Sequence, residues 1–252
     1  MVIKNPTLEL FDFVETNKMS LQGFTLIEGF PDLGLAGTIG TRYLIEQLNF
    51  EELGYIDSRL FQPIIRIQKG VPVHPVRLYA SKKHKTVIVI AEQIIPNNIA
   101  SPVAHALIEW IKKKGIKRVI STSGISIPNG KSVYAFASNE NSKKAIKKNN
   151  LELINSGITS GVTALLMLYL KDNKIDAFCL MGNAKNEADY QAAAEIVRAF
   201  CKLINIEVDI KPLLKEAKKL EELIKDHLKT LELQKQQQET GELKNSSTPM
   251  FV

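Results

Sequence analysis

Three glycines spaced three apart, Gly34, Gly37 and Gly40, follow the apolar run Phe24-Thr25-Leu26-Ile27-Glu28 and open a helical pattern. A glycine turn between strand and helix is where α/β proteins cradle phosphate on backbone N–H groups. Here the spacing is G-x-x-G-x-x-G instead of G-x-G-x-x-G, and Pro31 and Asp32 occupy the turn. No acid is placed to hold a ribose. The pattern suits close packing of a helix on a sheet, or on another subunit, better than nucleotide binding. A second candidate is the hydroxyl-rich stretch Thr122-Ser123-Gly124-Ile125-Ser126-Ile127-Pro128, expected as a loop at a strand's carboxyl end. Ser123 and Gly124 there could hold an anion on backbone and hydroxyl donors. A third is the carboxy terminus, where the polar stretch 239–249 ends in Met250-Phe251-Val252. A polar tail gains nothing by ending apolar unless those side chains are buried elsewhere, on a partner or on the chain itself.

Other chemistry lacks its parts. Neither a G-x-S-x-G elbow nor a P-loop is present, and no lysine, histidine and acid cluster in sequence near the hydroxyl stretch. We therefore expect no catalytic residues and no cofactor. The histidines (His74, His84, His105, His227) and the two cysteines (Cys179, Cys201) show no zinc spacing, so no metal site is expected. Both cysteines lie in apolar segments and read as buried thiols.

These residues must be positioned by a scaffold that the hydrophobic pattern outlines. Strands are expected at about 24–28, 54–57, 64–68, 76–81, 86–91, 118–121, 132–137, 151–154 and 176–181. Helices are expected at about 35–48, 102–114, 142–148, 160–170 and 187–203. Val87-Ile88-Val89-Ile90 is a β-branched run of the kind buried on both faces. Strand–helix alternation predicts one α/β domain, 1–208, with a mostly parallel sheet covered by helices on both faces. Antiparallel additions are expected within 64–91, where three strands arrive without an intervening helix.

Composition then shifts. Pro212 suits a first helical turn, and Leu213, Ala217, Leu220, Ile224 and Leu231 recur at steps of four and three once His227 is counted as the one polar step. This predicts an amphipathic helix over 209–238 whose narrow apolar seam packs on its own body or on a second copy. The final stretch, 239–252, reads as a disordered tail.

The chain has 252 residues and a formal net charge of +6. The positive charge sits in local clusters: Lys112, Lys113, Lys114, Lys117 and Arg118 at one predicted helix end, and Lys143, Lys144, Lys147 and Lys148 on another helix. Aromatics are not interleaved with them, so nucleic acid is not the expected partner. The amino-terminal residues lack a signal-peptide pattern and no apolar run is long enough to span a membrane, so a cytoplasmic protein without membrane contact is expected.

The run Gly29-Phe30-Pro31-Asp32-Leu33-Gly34-Leu35-Ala36-Gly37-Thr38-Ile39-Gly40, followed by Tyr43-Leu44-Ile45-Glu46-Gln47-Leu48, resembles the first glycine motif of the proteasome assembly chaperone family in its archaeal form. The resemblance continues through Ser121-Thr122-Ser123-Gly124, Ser156-Gly157-Ile158-Thr159-Ser160-Gly161, Ala192-Ala193-Ala194 and Val208-Asp209-Ile210-Lys211-Pro212-Leu213-Leu214. Asp32 departs from the glycine expected in many relatives, which argues further against a phosphate cradle. The resemblance implies a nucleoside-phosphorylase-like fold without that enzyme's catalytic residues. It implies a homo-oligomeric, ATP-independent chaperone or activator whose partner is the 20S proteasome α-ring. It also implies docking by a carboxy-terminal hydrophobic-Tyr-any tripeptide inserted between α-subunits. Met250 fills the hydrophobic position, Phe251 replaces the tyrosine and Val252 carries the carboxylate. The alternative on this fold is a nucleoside- or anion-binding enzyme.

Overall fold

The computed structural model describes residues 10–218. Nine strands form one sheet in the order β1-β3-β6-β7-β2-β8-β11-β9-β10. The strands are β1 (Asp12–Glu15), β2 (Thr25–Gly29), β3 (Glu51–Asp57), β6 (Val76–Ser81), β7 (Thr86–Ala91), β8 (Arg118–Ile125), β9 (Val133–Ala137), β10 (Glu152–Leu153) and β11 (Asp176–Asn183). A separate hairpin holds β4 (Arg66–Gln68) and β5 (Val71–Val73). The centre, β7-β2-β8-β11, is parallel. Toward one edge β6, β3 and β1 add antiparallel, and on the other side β9 runs antiparallel to β11. The helices are α1 (Ala36–Gln47), α2 (Asn97–Lys114), α3 (Glu140–Lys148), α4 (Gly161–Asp172) and α5 (Tyr190–Ile204), with a further helix α6 described over 211–218.

The sheet is covered on both faces, as its apolar pattern requires. In β7, Val87 and Val89 join the core beneath α2 and α4, while Ile88 and Ile90 join the core beneath α1 and α5. Period-two alternation within a continuous apolar run thus feeds two separate cores, and each fully buried Val or Ile contributes about 1.5–3 kcal/mol. Helix ends carry their own stops. Asn139 accepts the Ser142 N–H (2.8 Å) to open α3, and Gly115 closes α2 at φ 64° after three lysines that complement the dipole.

Several boundaries differ from expectation. Strand β8 does not end at Ser121 but runs to Ile125, so Thr122, Ser123 and Gly124 are strand residues and not a loop. The cause is pairing: β11 matches β8 continuously from Asp176↔Arg118 to Asn183↔Ile125. Helix α2 starts at Asn97 and carries Pro102 inside, because Ile99 and Ala100 gain burial that the shorter helix would leave exposed. Strand β10 is confined to Glu152–Leu153, and α4 runs from Gly161 to Asp172. Strand β1 was not apparent from its short pattern. It is held by Phe13 stacked on Trp110 (5.2 Å) and by the Trp110 N–H donating to Glu15 (3.2 Å). Cys179 is buried but Cys201 is only half-buried.

Among the described residues no helix is long and apolar enough to cross a membrane. The opening of the predicted carboxy-terminal helix docks on the body: Leu213 and Ala217 are buried, and the Tyr43 hydroxyl on α1 donates to the Asp209 carbonyl. The remainder of that helix and the tail lie outside the described residues. Leu213→Ala should cost about 2–5 kcal/mol by opening a cavity in this core. Urea unfolding at neutral pH checks it; a loss below about 0.5 kcal/mol would show that the helix does not pack there in solution.

Candidate functional site

The carboxyl ends of β2, β8 and β11 converge on the turn that leads from β2 into α1. Asp32 is extended (φ −148°); its carboxylate accepts the Leu33 N–H (2.8 Å) and the Ser123 hydroxyl. Gly34 follows in the left-handed region (φ 69°), and its carbonyl accepts the Asp189 N–H (2.7 Å). Asp189, itself buried, accepts the Ala192 N–H (2.8 Å) to cap α5 and the Lys185 N–H (2.8 Å). The Asp32 carboxylate thereby ties the turn to β8, and the Asp189 N–H ties it to the start of α5.

Residues of the two predicted segments, the glycine turn and the hydroxyl stretch, pack against one another or against α5 here. A Cβ on Gly124 would overlap the Leu33 carbonyl, and one on Gly34 would overlap Ala184. A Cβ on Gly37 would sit 2.5 Å from the Thr122 hydroxyl oxygen, and one on Gly40 would lie 3.3 Å from the Ala193 carbonyl. Ser123 is spent on Asp32. Any phosphate approaching this turn meets a carbonyl and two carboxylates, and like charge repels it. At these glycines turn, helix and strand approach closely.

Beneath the turn lies a group that sequence reading missed. Glu28 ends β2 with 0% exposure. It accepts the Phe30 N–H (3.0 Å) and the Thr163 hydroxyl from α4 (3.1 Å to each oxygen). Burial pushes its carboxyl up to about 7, against the lowering effect of the Ser121 hydroxyl, the Phe30 N–H and Thr163; nearby Asp32 raises it further. Although Ser121 faces Glu28 closely enough to favour the charge, its hydroxyl lacks a hydrogen bond of good geometry, leaving it free to accept from the protonated carboxyl. A buried acid with a pKa near 7 is the kind of group catalysis uses, but this one is sealed from any substrate.

Three further features frame the edge. Glu92, just past β7, takes ion pairs from Arg42 of α1, Arg66 of β4 and buried Arg77 of β6, the last at 2.7 Å. This hub ties the β4–β5 hairpin to the sheet. A groove of about 380 Å³ opens beside β8, β11 and β9, with Ile125, Ile127, Phe136, Ile154, Ile158 and Met181 as its apolar lining. Burial pushes both thiols up, Cys201 to about 11, so neither is a nucleophile near neutrality. Among the described residues no cluster of three or more histidine, cysteine or acidic side chains could hold a metal. Met250, Phe251 and Val252 lie outside the described residues.

Glu28 gives the fold a pH dependence. Its pKa is higher folded than unfolded (about 7 against 4.5), so the folded chain keeps a proton that the unfolded chain releases. Its contribution is full below about pH 4.5 and is lost as pH rises toward 7, by roughly 3 kcal/mol for this group alone. Glu28→Gln keeps the shape and an acceptor for Phe30 and Thr163. Its urea midpoint should change less than the parent's between pH 4.5 and 8, with the variant the more stable above pH 7. Parallel pH profiles would sink this assignment.

The sequence profile of the PAC2 family matches residues 26–228. An uncharacterized protein of Methanocaldococcus jannaschii is 30% identical over 224 residues, spanning 87% of this chain and 93% of that one. The fold matches that of Pyrococcus furiosus PbaA, an archaeal homolog of proteasome-assembly chaperone, with a TM-score of 0.80 at 24% identity, covering 95% of this chain and 100% of PbaA. It also matches Pyrococcus furiosus PbaB, an archaeal proteasome activator, with a TM-score of 0.76 at 22% identity, covering 86% and 98% of the two chains. The glycine turn, the two-faced sheet and the family profile coincide over most of the chain, which belongs to the PAC2 family.

Proposed function

We propose that this chain is a cytoplasmic proteasome-binding protein, an assembly chaperone or ATP-independent activator, that docks Met250, Phe251 and Val252 between adjacent α-subunits of a 20S ring. The observation that carries this reading is the match of nearly the whole chain to PbaA, with a second match to PbaB. The local chemistry is consistent with it. The edge where an enzyme of this architecture would hold substrate is filled by the Leu33 carbonyl, Asp32 and Asp189, and Glu28, an acid pushed up to about 7, is buried. Such a protein works by binding and needs no cofactor.

The proposed division of labour is a rigid body over 1–208, a helix over 209–238 and a tail over 239–252. A helix of that length spans on the order of 40 Å, and the tail adds at most about 45 Å. Phe251 keeps the aromatic face of the tyrosine it replaces but lacks the hydroxyl, so each tail binds weakly. Several tails on one oligomer offset that weakness through effective concentration. Self-association is supported by the apolar surface of the β4–β5 hairpin and its surroundings, where Ile65, Ile67, Val71 and Ile94 are all exposed.

Removing Met250 to Val252 should reduce capture of 20S particles at least tenfold in a pull-down; unchanged capture would sink the docking claim. Phe251→Tyr should bind equally or up to about fivefold tighter, the worth of one hydrogen bond. A marked loss would show the pocket to be of a different kind. An enzyme of phosphorylase type would instead show thermal stabilisation by nucleosides or phosphate, independent of the tail.

A further inference from the structure

A second cavity, of about 240 Å³, lies on the opposite face of the sheet from the apolar groove, where α1 meets the β4–β5 hairpin. It is smaller than the pockets that hold drug-sized ligands, so it suits a small one. Ile45, Phe50 and Ile90 give it an apolar side, and Arg42, Arg77 and Tyr79 give it a side of hydrogen-bond donors. Two of those donors are buried and idle. Arg77 is 3% exposed; its Nη1 donates to Gln68 (2.7 Å) and its Nη2 to Glu92 (2.7 Å), but its Nε–H is buried with no partner among the described residues. A charged donor left so is costly and calls for an acceptor. Tyr79 is 8% exposed and takes no part in the hydrogen bonds around Glu92. Burial raises the pKa of its hydroxyl, which is therefore a protonated donor near neutrality.

Positive charge is in excess at this wall. Arg42, Arg66 and Arg77 all face Glu92, and Glu52 stands 3.7 Å from Arg77, so one guanidinium is uncompensated within ion-pair reach. Burial, and then the charge of Arg77, lower the pKa of Arg66, as crowded cations require. Glu46, the remaining acid of the lining, is exposed, where water screens its charge. A carboxylate supplies what the cavity lacks. Its two coplanar oxygens suit guanidinium N–H groups, as Glu92 already shows, and a short apolar body would cover Ile45, Phe50 and Ile90. Phosphate, tetrahedral and without an apolar part, would leave that side against water. We propose that this cavity binds a small organic carboxylate, whose oxygens accept from the Arg77 Nε–H and the Tyr79 hydroxyl beside Glu92. Gln68 and Arg66 belong to β4, so the ligand shares its partners with the hairpin, and occupancy is linked to how firmly that exposed ribbon is held. The site shares no residue with the glycine turn or the carboxy-terminal tripeptide, and it stands whether or not the chain binds a proteasome.

Equilibrium binding of benzoate, acetate and phosphate to the full chain, at matched ionic strength and neutral pH, tests this. Benzoate should bind saturably at one site per chain, at least about tenfold more tightly than acetate, because its ring buries apolar surface that acetate lacks. It should exceed phosphate by a similar factor. Tyr79→Phe keeps the ring beside Arg77 and removes only the hydroxyl, and it should weaken benzoate about tenfold, the worth of a hydrogen bond to a charged group. Arg77→Lys keeps the charge but loses the Nε–H and should abolish binding; if that variant fails to fold, Tyr79→Phe still decides. Crystals soaked in 4-bromobenzoate should show the bromine anomalous peak against Phe50 and Ile90. Absence of saturable benzoate binding, equal affinity in Tyr79→Phe, or bromine bound only elsewhere overturns the proposal. Phosphate binding as tight as benzoate's also overturns it, since the cavity would then be a general anion site.

Discussion

The chain packs tightly where it leaves β2, and it can do so only because certain side chains are missing. The Leu33 carbonyl rests where a Cβ of Gly124 would be, α1 approaches Thr122 through Gly37, and Gly34 is seated against Ala184. Each contact fixes a different neighbour: the first sets the turn on β8, the second sets the helix on the sheet, the third sets the turn beside the segment leading to α5. Gly34 also bends left-handed, which aims its carbonyl at the Asp189 N–H and so at the start of α5. A side chain at Gly37 would lift α1 from the sheet, and one at Gly34 would disturb the turn's contact with Asp189 at the start of α5. Two helices of one face therefore depend on a few missing Cβ atoms.

The same packing decides what the edge can bind. Open α/β sheets bind ligands at the carboxyl ends of their parallel strands because helix N-termini and loops leave room there. Here that room is taken by groups of the chain itself, and they are acceptors: the Leu33 carbonyl, Asp32, Asp189 and, below them, Glu28. Three hydroxyl donors of this region are consumed locally. Thr122 donates to the Glu28 carbonyl (2.8 Å), Thr163 to its carboxylate and Ser123 to Asp32. An edge rich in satisfied acceptors is poor at recruiting anions. The space that does remain, toward β9, is apolar and shaped for side chains.

Much of this scaffold was legible in the sequence. The run 86–91 is a strand with the predicted limits because β-branched residues in unbroken series have no amphipathic helix to form, and strand β6 is likewise placed as read. The two-faced α/β architecture also followed from pattern and position. What failed to show was whatever long-range pairing decides. Thr122-Ser123-Gly124 looks like a loop by composition, yet a full-length neighbour in β11 and hydroxyl partners on β2 keep it extended. Asp12-Phe13-Val14-Glu15 is too short to register as a strand until Trp110, far along the chain, supplies its stacking partner. Glu28 looked like the polar end of a strand, and only the arrival of Thr163 from α4 makes it a buried acid. The groove is invisible in sequence for the same reason, since its walls come from four separate segments.

Helix α1 joins these features. Its first turns carry Gly37 and Gly40, which let it lie against β8 and α5, and the next turn carries Arg42 and Tyr43. Arg42 enters the hub at Glu92 that also holds Arg66 of the hairpin, and Tyr43 holds the Asp209 carbonyl at the threshold of α6. One carboxylate facing three guanidiniums leaves excess positive charge, which Glu52 relieves from 3.7 Å beside Arg77. Such a hub is stable only while all its members keep their places, because removing one partner leaves a buried charge uncompensated. The exposed apolar hairpin and the root of the carboxy-terminal helix are thus anchored through adjacent residues of one helix, and that helix is set by the glycine turn. A partner that displaced the hairpin would take Arg66 from Glu92 and change the charge balance around Arg42, the neighbour of the Tyr43 that holds the Asp209 carbonyl.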